Sequence, residues 1–335
     1  MRGLQLVPAA VLPAVAGLLL AFLVPFGARG TPPTEADQLP PPSRFTLSNP
    51  VVRVPFDHEG RHALIRVHVN GEGPFPFLLD TGASGDGALD WSLVRALSLR
   101  RDAEVTIDDG SGLNQRRVPL VEVDALEMGG ITFHGARLFV GEIRQIARHV
   151  DYPEGGPLGI VGLGLFKDLL LTIDYPESRV EVGAGALREG ELHVAPYSLR
   201  DGLIYLPLRI GDLDLTACVD TGSQSGLSLP LDFSKRVRCA FTPLVTATAR
   251  TANNEYEILS SVLKDPLHLA GHSMEGQDVS FNGLFDEATL GYGLLKEYRL
   301  TFDQERHLVR LDQRIAAPTE VRRRMPGLRR PARTR

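Results

Sequence analysis

A chain of 335 residues with 43% apolar composition holds enough hydrophobic material for one large core or two ordinary ones, which excludes a wholly disordered protein. The net charge of -5 hides an asymmetry, because residues 322 to 335 carry seven Arg and no acid, leaving the rest of the chain at -12. An acidic body repels phosphate backbones, so nucleic acid is not an expected partner and the basic end is a local feature.

The first thirty residues read as a targeting element. Arg2 precedes an uncharged stretch, rich in Leu, Ala and Val, that runs to Ala28 and is about long enough to span a bilayer. Ala28-Arg29-Gly30 offers small residues spaced for cleavage. Residues 1–30 are therefore expected to be a signal peptide or a membrane anchor, with residues 4–28 as the membrane-associating part. Either reading exports the body, as a periplasmic, secreted or membrane-anchored protein. Prolines at 32, 33, 40, 41, 42 and 50, without apolar periodicity, make residues 31–50 an extended linker.

Beyond the linker the chain is written twice. Val54-Pro55-Phe56, the run Leu64 to Val69 and Phe77-Leu78-Leu79-Asp80-Thr81-Gly82 return as Ala195-Pro196-Tyr197, the run Tyr205 to Ile210 and Cys218-Val219-Asp220-Thr221-Gly222, at offsets of 141 and then 140. Later, Gly162-Leu163-Gly164-Leu165-Phe166-Lys167 and Thr172-Ile173-Asp174 return as Gly291-Tyr292-Gly293-Leu294-Leu295-Lys296 and Thr301-Phe302-Asp303 at offset 129. The first copy thus holds about a dozen extra residues between Val140 and Gly162, and their Pro and Gly content predicts a surface loop.

Short alternating runs broken by Gly, Asn, Asp and Pro predict antiparallel strands and hairpins. Asp90 and Asp232 each look like the N-cap of a short helix. Two lobes are expected, at 51–188 and 190–313, followed by a basic, solvated tail at 314–335. Both cysteines stand where the other copy has Leu, Cys218 opposite Leu78 and Cys239 opposite Leu97, which favours free thiols over a disulfide. Nine His residues show no His-Glu-x-x-His pattern and there is no paired Cys spacing, so no metal is expected.

Each copy places Asp-Thr-Gly directly after an apolar strand. A strand ending in a glycine turn delivers its carboxylate to a defined point, and a pseudo-twofold axis would bring two such points together. Carboxylates that close share a proton, so one can activate water while the other donates to a scissile carbonyl.

Here the sequence resembles the retropepsin-like bacterial aspartyl proteases of the pepsin and retropepsin superfamily. Asp80-Thr81-Gly82-Ala83-Ser84 carries the first motif, and the apolar pair followed by Gly stands as Ile160-Val161-Gly162 and as Thr289-Leu290-Gly291. The likeness covers about residues 51 to 312. It implies an all-β, bilobal fold of two homologous β-barrel-like lobes. It also implies an aspartic endopeptidase acting on peptide or protein substrates as a monomer, without cofactor. Asp80 and Asp220 would be the catalytic pair, supported by Gly82, Ala83, Gly222 and Ser223, with Thr81 and Thr221 gripping the two loops together and Gly162 and Gly291 as the glycine element of each lobe. The alternative is a catalytically inactive module that only binds peptides. Residues 107–112 and 251–254 are the candidate flaps, the first without the Tyr of the pepsin branch. A Ser at the fourth motif position donates to the neighbouring carboxylate in that family, so Ser223 is expected to favour ionised Asp220 and leave the shared proton on Asp80.

Overall fold

The computed structural model describes residues 44–313 other than 59, 60, 110, 112, 114, 148, 149, 151, 153, 154, 252 and 253, together with the pair Val24–Pro25. The N-terminal targeting element, the linker before Arg44 and the basic tail otherwise lie outside the described residues.

The fold is all-β. In the first lobe β1 (Arg44–Leu47) and β2 (Val51–Pro55) lead into β3 (Leu64–Val69), β4 (Glu72–Asp80), β5 (Gly87–Asp90), helix α1 (Trp91–Ala96), β6 (Arg101–Asp108), β7 (Arg116–Met128), β8 (Ile131–Gly141), helix α2 (Ile143–Ala147) and β9 (Gly159–Gly162). Their apolar residues alternate as a half-buried sheet demands; in β2, for example, only Val52 and Val54 point inward. Strands pair in the order β7-β3-β4-β9-β5-β8, and β8 returns to β7, closing a six-stranded barrel.

The second lobe repeats that order. After β10 (Leu170–Asp174), β11 (Arg179–Gly183) and β12 (Val194–Pro196) come β13 (Leu203–Ile210), β14 (Leu213–Val219), β15 (Leu227–Pro230), β16 (Leu244–Arg250), β17 (Glu255–Val262), β18 (Leu267–Leu269), β19 (His272–Met274), β20 (Asp278–Asn282) and β21 (Ala288–Leu290). Here β14 pairs with β21 as β4 pairs with β9, and β15 takes the place of β5. The long strands β7 and β8 are each broken in two, into β17 with β18 and β19 with β20. Pro266 lies in the first break, where its missing N–H cannot extend a ladder.

Helix α3 (Tyr292–Leu295) leads to β22 (Tyr298–Asp303) and β23 (Leu308–Gln313), which join the lobes through a six-stranded antiparallel sheet ordered β12-β23-β22-β10-β11-β2. At its centre Thr172 faces Thr301, its own repeat, and the two buried hydroxyls hydrogen-bond at 2.9 Å. The main apolar core runs through this sheet, from Phe133 and Phe166 in one lobe to Phe281 and Phe302 in the other.

Three expectations need correction. The end of the linker is not free, because β1 pairs with β8 as an edge strand. The extra residues are not simply a surface loop: Ile143, Ala147 and Tyr152 are buried in an apolar cluster with Leu64, Leu78, Ala83 and Ile160, so the segment folds back onto the lobe. Asp90 does cap α1 by accepting from the Ser92 amide at 2.8 Å, but Asp232 lies inside a short 3-10 turn that starts after Pro230. Cys218 and Cys239 are free thiols, the first fully buried.

Replacing Thr172 with Val removes one partner of a buried hydroxyl pair and strands the other, at a cost of about 1–3 kcal/mol. The Thr172→Val, Thr301→Val double variant should cost less than the two single variants summed when urea unfolding is compared, since both polar groups then leave together.

Candidate active site

Asp80 closes β4 and Asp220 follows β14, and both carboxyls are fully buried at the junction of the lobes. The two turns hold each other through a reciprocal set of four hydrogen bonds. Thr81 Oγ1 donates to the Val219 carbonyl at 2.7 Å and accepts from the Thr221 amide at 3.1 Å. Thr221 Oγ1 donates to the Leu79 carbonyl at 2.9 Å and accepts from the Thr81 amide at 3.0 Å. Each hydroxyl uses its one proton and one lone pair, which is why Thr serves here and a purely apolar β-branched residue does not.

Within each turn the glycine amide donates to its own aspartate, Gly82 to Asp80 Oδ1 at 2.8 Å and Gly222 to Asp220 Oδ1 at 2.9 Å. Each glycine also lies against the opposite carboxyl: a Cβ on Gly82 would stand 2.5 Å from Asp220 Oδ1, and one on Gly222 would stand 2.5 Å from Asp80 Oδ2. Any side chain there would displace a carboxyl from its partner. Gly162 and Gly291 are the next layer. A Cβ on Gly162 would meet the Gly85 carbonyl at 2.6 Å and one on Gly291 the Ser225 carbonyl at 2.5 Å. The chain beyond each is pinned to the motif loop, with Gly164 N–H on Gly85 O and Gly293 N–H on Ser225 O, both at 2.8 Å.

Electrostatics follow from this geometry. Burial pushes Asp80 up to about 6, against the amides and the contact with Asp220 that support its charge. Burial pushes Asp220 well above the usual carboxylate range, and the charge of Asp80 pushes it further. The outer oxygens, Asp80 Oδ2 and Asp220 Oδ2, take no hydrogen bond from the described residues around them. Two carboxyls buried this close together therefore keep a proton between them at a pH where a lone Asp has lost its own.

The expected asymmetry from Ser223 is not found. Its hydroxyl pairs with Ser225 Oγ at 2.7 Å, a partner two residues away that captures it before it can reach Asp220. The Ser223 amide closes the turn on the Asp220 backbone carbonyl at 3.2 Å. Ala83, its counterpart, packs in the apolar cluster of the first lobe, where a hydroxyl would lie among Leu64, Leu78 and Ile160. With the hydroxyl otherwise engaged, nothing remains of the argument that placed the proton on Asp80.

Above the pair, the two candidate flap segments are hairpin tips, between β6 and β7 and between β16 and β17. They meet. The buried Asp109 carboxylate accepts from Thr251 Oγ1 and, at 2.8 Å, from Asn254 Nδ2. Tyr256 on β17 is half-buried, and the charges of Asp220 and Asp109 add to the burial that raises its phenol. The buried Tyr175 phenol is pushed up by burial first, with Tyr292, Asp80 and Asp220 adding.

With this arrangement described, comparison with known proteins becomes informative. Residues 65–172 match the family model for aspartyl proteases, and this stretch contains Asp80 and the Gly162 element. The first lobe is a retropepsin-like aspartyl protease domain. No curated protein matches the chain. The matched stretch covers the first copy of the repeat; the second copy, with Asp220, enters the same site through the grip between Thr81 and Thr221. Among the described residues, no group of three His, Cys, Asp or Glu is placed to hold a metal, and no helix is long and apolar enough to cross a membrane.

Two predictions follow from the burial of the pair. A carboxyl with its folded pKa raised is stabilising below its unfolded value, near 3.8, and loses that advantage as pH rises through about 6. At neutral pH the pair thus opposes folding, so Asp80→Asn should stabilise the protein by about 1–3 kcal/mol near neutrality and by nothing near pH 3, read from urea midpoints at both pH values. Thr81→Val should cost at least about 2 kcal/mol by leaving the Thr221 amide and the Val219 carbonyl unpaired, and Thr81→Ser should recover most of it.

Proposed function

We propose that the protein is an aspartic endopeptidase in which Asp80 and Asp220 activate water against a peptide bond. The observation that carries this reading is the convergence of two fully buried carboxyls, each lying against the glycine of the other's turn, with the turns held by the reciprocal Thr81 and Thr221 hydrogen bonds. In the singly protonated pair, the charged member takes a proton from water as its oxygen attacks the scissile carbonyl carbon. The protonated member donates to the carbonyl oxygen, giving a neutral diol. Proton transfer to the nitrogen and breakage of the C–N bond then release acid and amine, and return the pair to one proton. The Gly82 and Gly222 amides keep each carboxyl oriented through both steps.

An extended substrate lies between the pair and the hairpin tips, so the contact of Asp109 with Thr251 and Asn254 parts for entry. Both half-sites come from one chain, and a monomer therefore suffices. In the same reading the activity lies outside the cytoplasm, which the apolar N-terminal stretch supports.

The test is hydrolysis of fluorescently labelled, unfolded casein across the acid to neutral range. Asp80→Asn and Asp220→Asn should each lower the rate by a factor of about a hundred to ten thousand while the protein remains folded. A statine-containing peptide, which carries the hydroxyl of the diol, should compete with casein, and a chelator should leave the rate unchanged. Undiminished hydrolysis by either Asn variant would rule out the pair.

A further inference from the structure

His62 is fully buried just before β3, and nothing in the repeat explains it: its counterpart at offset 141 is Leu203, an apolar residue buried under the second hairpin. Its Nε2 hydrogen-bonds the Gly222 carbonyl at 3.0 Å, across the lobe junction. A carbonyl only accepts, so Nε2 carries the proton. The other ring nitrogen, Nδ1, lies 2.5 Å from the Tyr152 hydroxyl, which donates to it, and the two rings stack at 6.0 Å between centroids with 23° between planes. Burial holds the imidazole near 4, well below its ordinary value, so it is neutral with this one tautomer through the acid range above that point.

The Gly222 carbonyl and the Ser223 N–H belong to one rigid planar peptide. Holding the oxygen fixes the turn at Gly222: the Ser223 N–H closes it on the Asp220 backbone carbonyl at 3.2 Å, the Gly222 N–H donates to Asp220 Oδ1 at 2.9 Å, and the Gly222 backbone lies against the Asp80 carboxyl. Tyr152 comes from the extra segment that only the first copy possesses. We propose that His62, with its tautomer set by Tyr152, is a positioning residue for the catalytic pair: the first lobe uses its extra segment to orient the Gly222 turn, whose amide holds the second lobe's carboxyl. The inference rests on the peptidase reading for its kinetics but not for its geometry. The groups around the imidazole are the Tyr152 phenol on one side and, beyond the Gly222 turn, the Asp80 and Asp220 carboxyls.

The full chain is assayed on labelled casein, with His62→Phe, Tyr152→Phe and His62→Gln as variants. His62→Phe keeps the ring and removes the donor. It should lower kcat about tenfold with KM nearly unchanged, the size expected for one hydrogen bond acting on the reacting groups. The upper limb of its pH profile should move up by about half a unit, because ionisation of Asp220, the more strongly raised member of the pair, loses support. Tyr152→Phe should move both readouts in the same direction by less, and His62→Gln, which can still donate to Gly222, should recover most of the loss. Parental kcat and pH profile in His62→Phe would overturn the proposal, as would a loss that His62→Gln does not relieve. If His62→Phe does not fold, Tyr152→Phe decides, and a profile overlaying the parent overturns it.

Titration of the two aspartate carboxyl carbons by 13C NMR, assigned with the Asn variants, reads the same effect without turnover. An upward shift of the second midpoint in His62→Phe or Tyr152→Phe supports the positioning role, and an unmoved midpoint ends it. A shifted midpoint in a protein that leaves casein intact would sink the peptidase reading alone.

Discussion

Asp80 and Asp220 give up their water in a place where each carboxyl meets the other, and two charges so close in a low-dielectric site repel strongly. The rest of the architecture answers that repulsion. Four hydrogen bonds through Thr81 and Thr221 lock the turns across the junction, glycines at 82 and 222 leave room for the opposing carboxyl, and glycines at 162 and 291 let the next strand pass beneath. The six-stranded sheet and its Thr172 to Thr301 contact keep the lobes in the register these short bonds require. A site that opposes folding near neutral pH is thus held in place by structure distributed over the whole body.

The twofold repetition is approximate, and the departures concentrate around the pair. The first lobe has continuous β7 and β8 and an extra segment that brings Tyr152 to His62; the second has broken strands and Leu203 at the matching point. The hairpins also differ, the first offering the acceptor Asp109 and the second the donors Thr251 and Asn254. Fusing both copies in one chain permits this division of labour, which two identical subunits could not adopt independently.

Much of this was legible in the sequence because the repeat amplifies it. One Asp-Thr-Gly after an apolar strand is weak evidence; the same motif at offset 140, followed by Gly162 and Gly291 at offset 129, specifies two equivalent turns and an all-β pairing of lobes. Features without a counterpart were not legible. His62 faces Leu203 in the alignment and Tyr152 sits in unmatched sequence, so comparison of the copies passes over both, although a polar residue opposite a buried Leu is itself a signal. The hydroxyl of Ser223 was misassigned because motif position does not reveal competition from a side chain two residues away. Pro and Gly content likewise suggested a surface loop, whereas burial of Ile143, Ala147 and Tyr152 decided the outcome.

Neutron diffraction from deuterated crystals, held just above the point near 6 where Asp80 gives up its proton while Asp220, raised further, keeps one, tests the central claim most directly. One deuteron between the Asp80 and Asp220 carboxyls, with the Thr81 and Thr221 hydroxyl deuterons directed at the Val219 and Leu79 carbonyls, is the predicted result. Two bare carboxylates, or carboxyls standing apart with their own protons, would contradict the account.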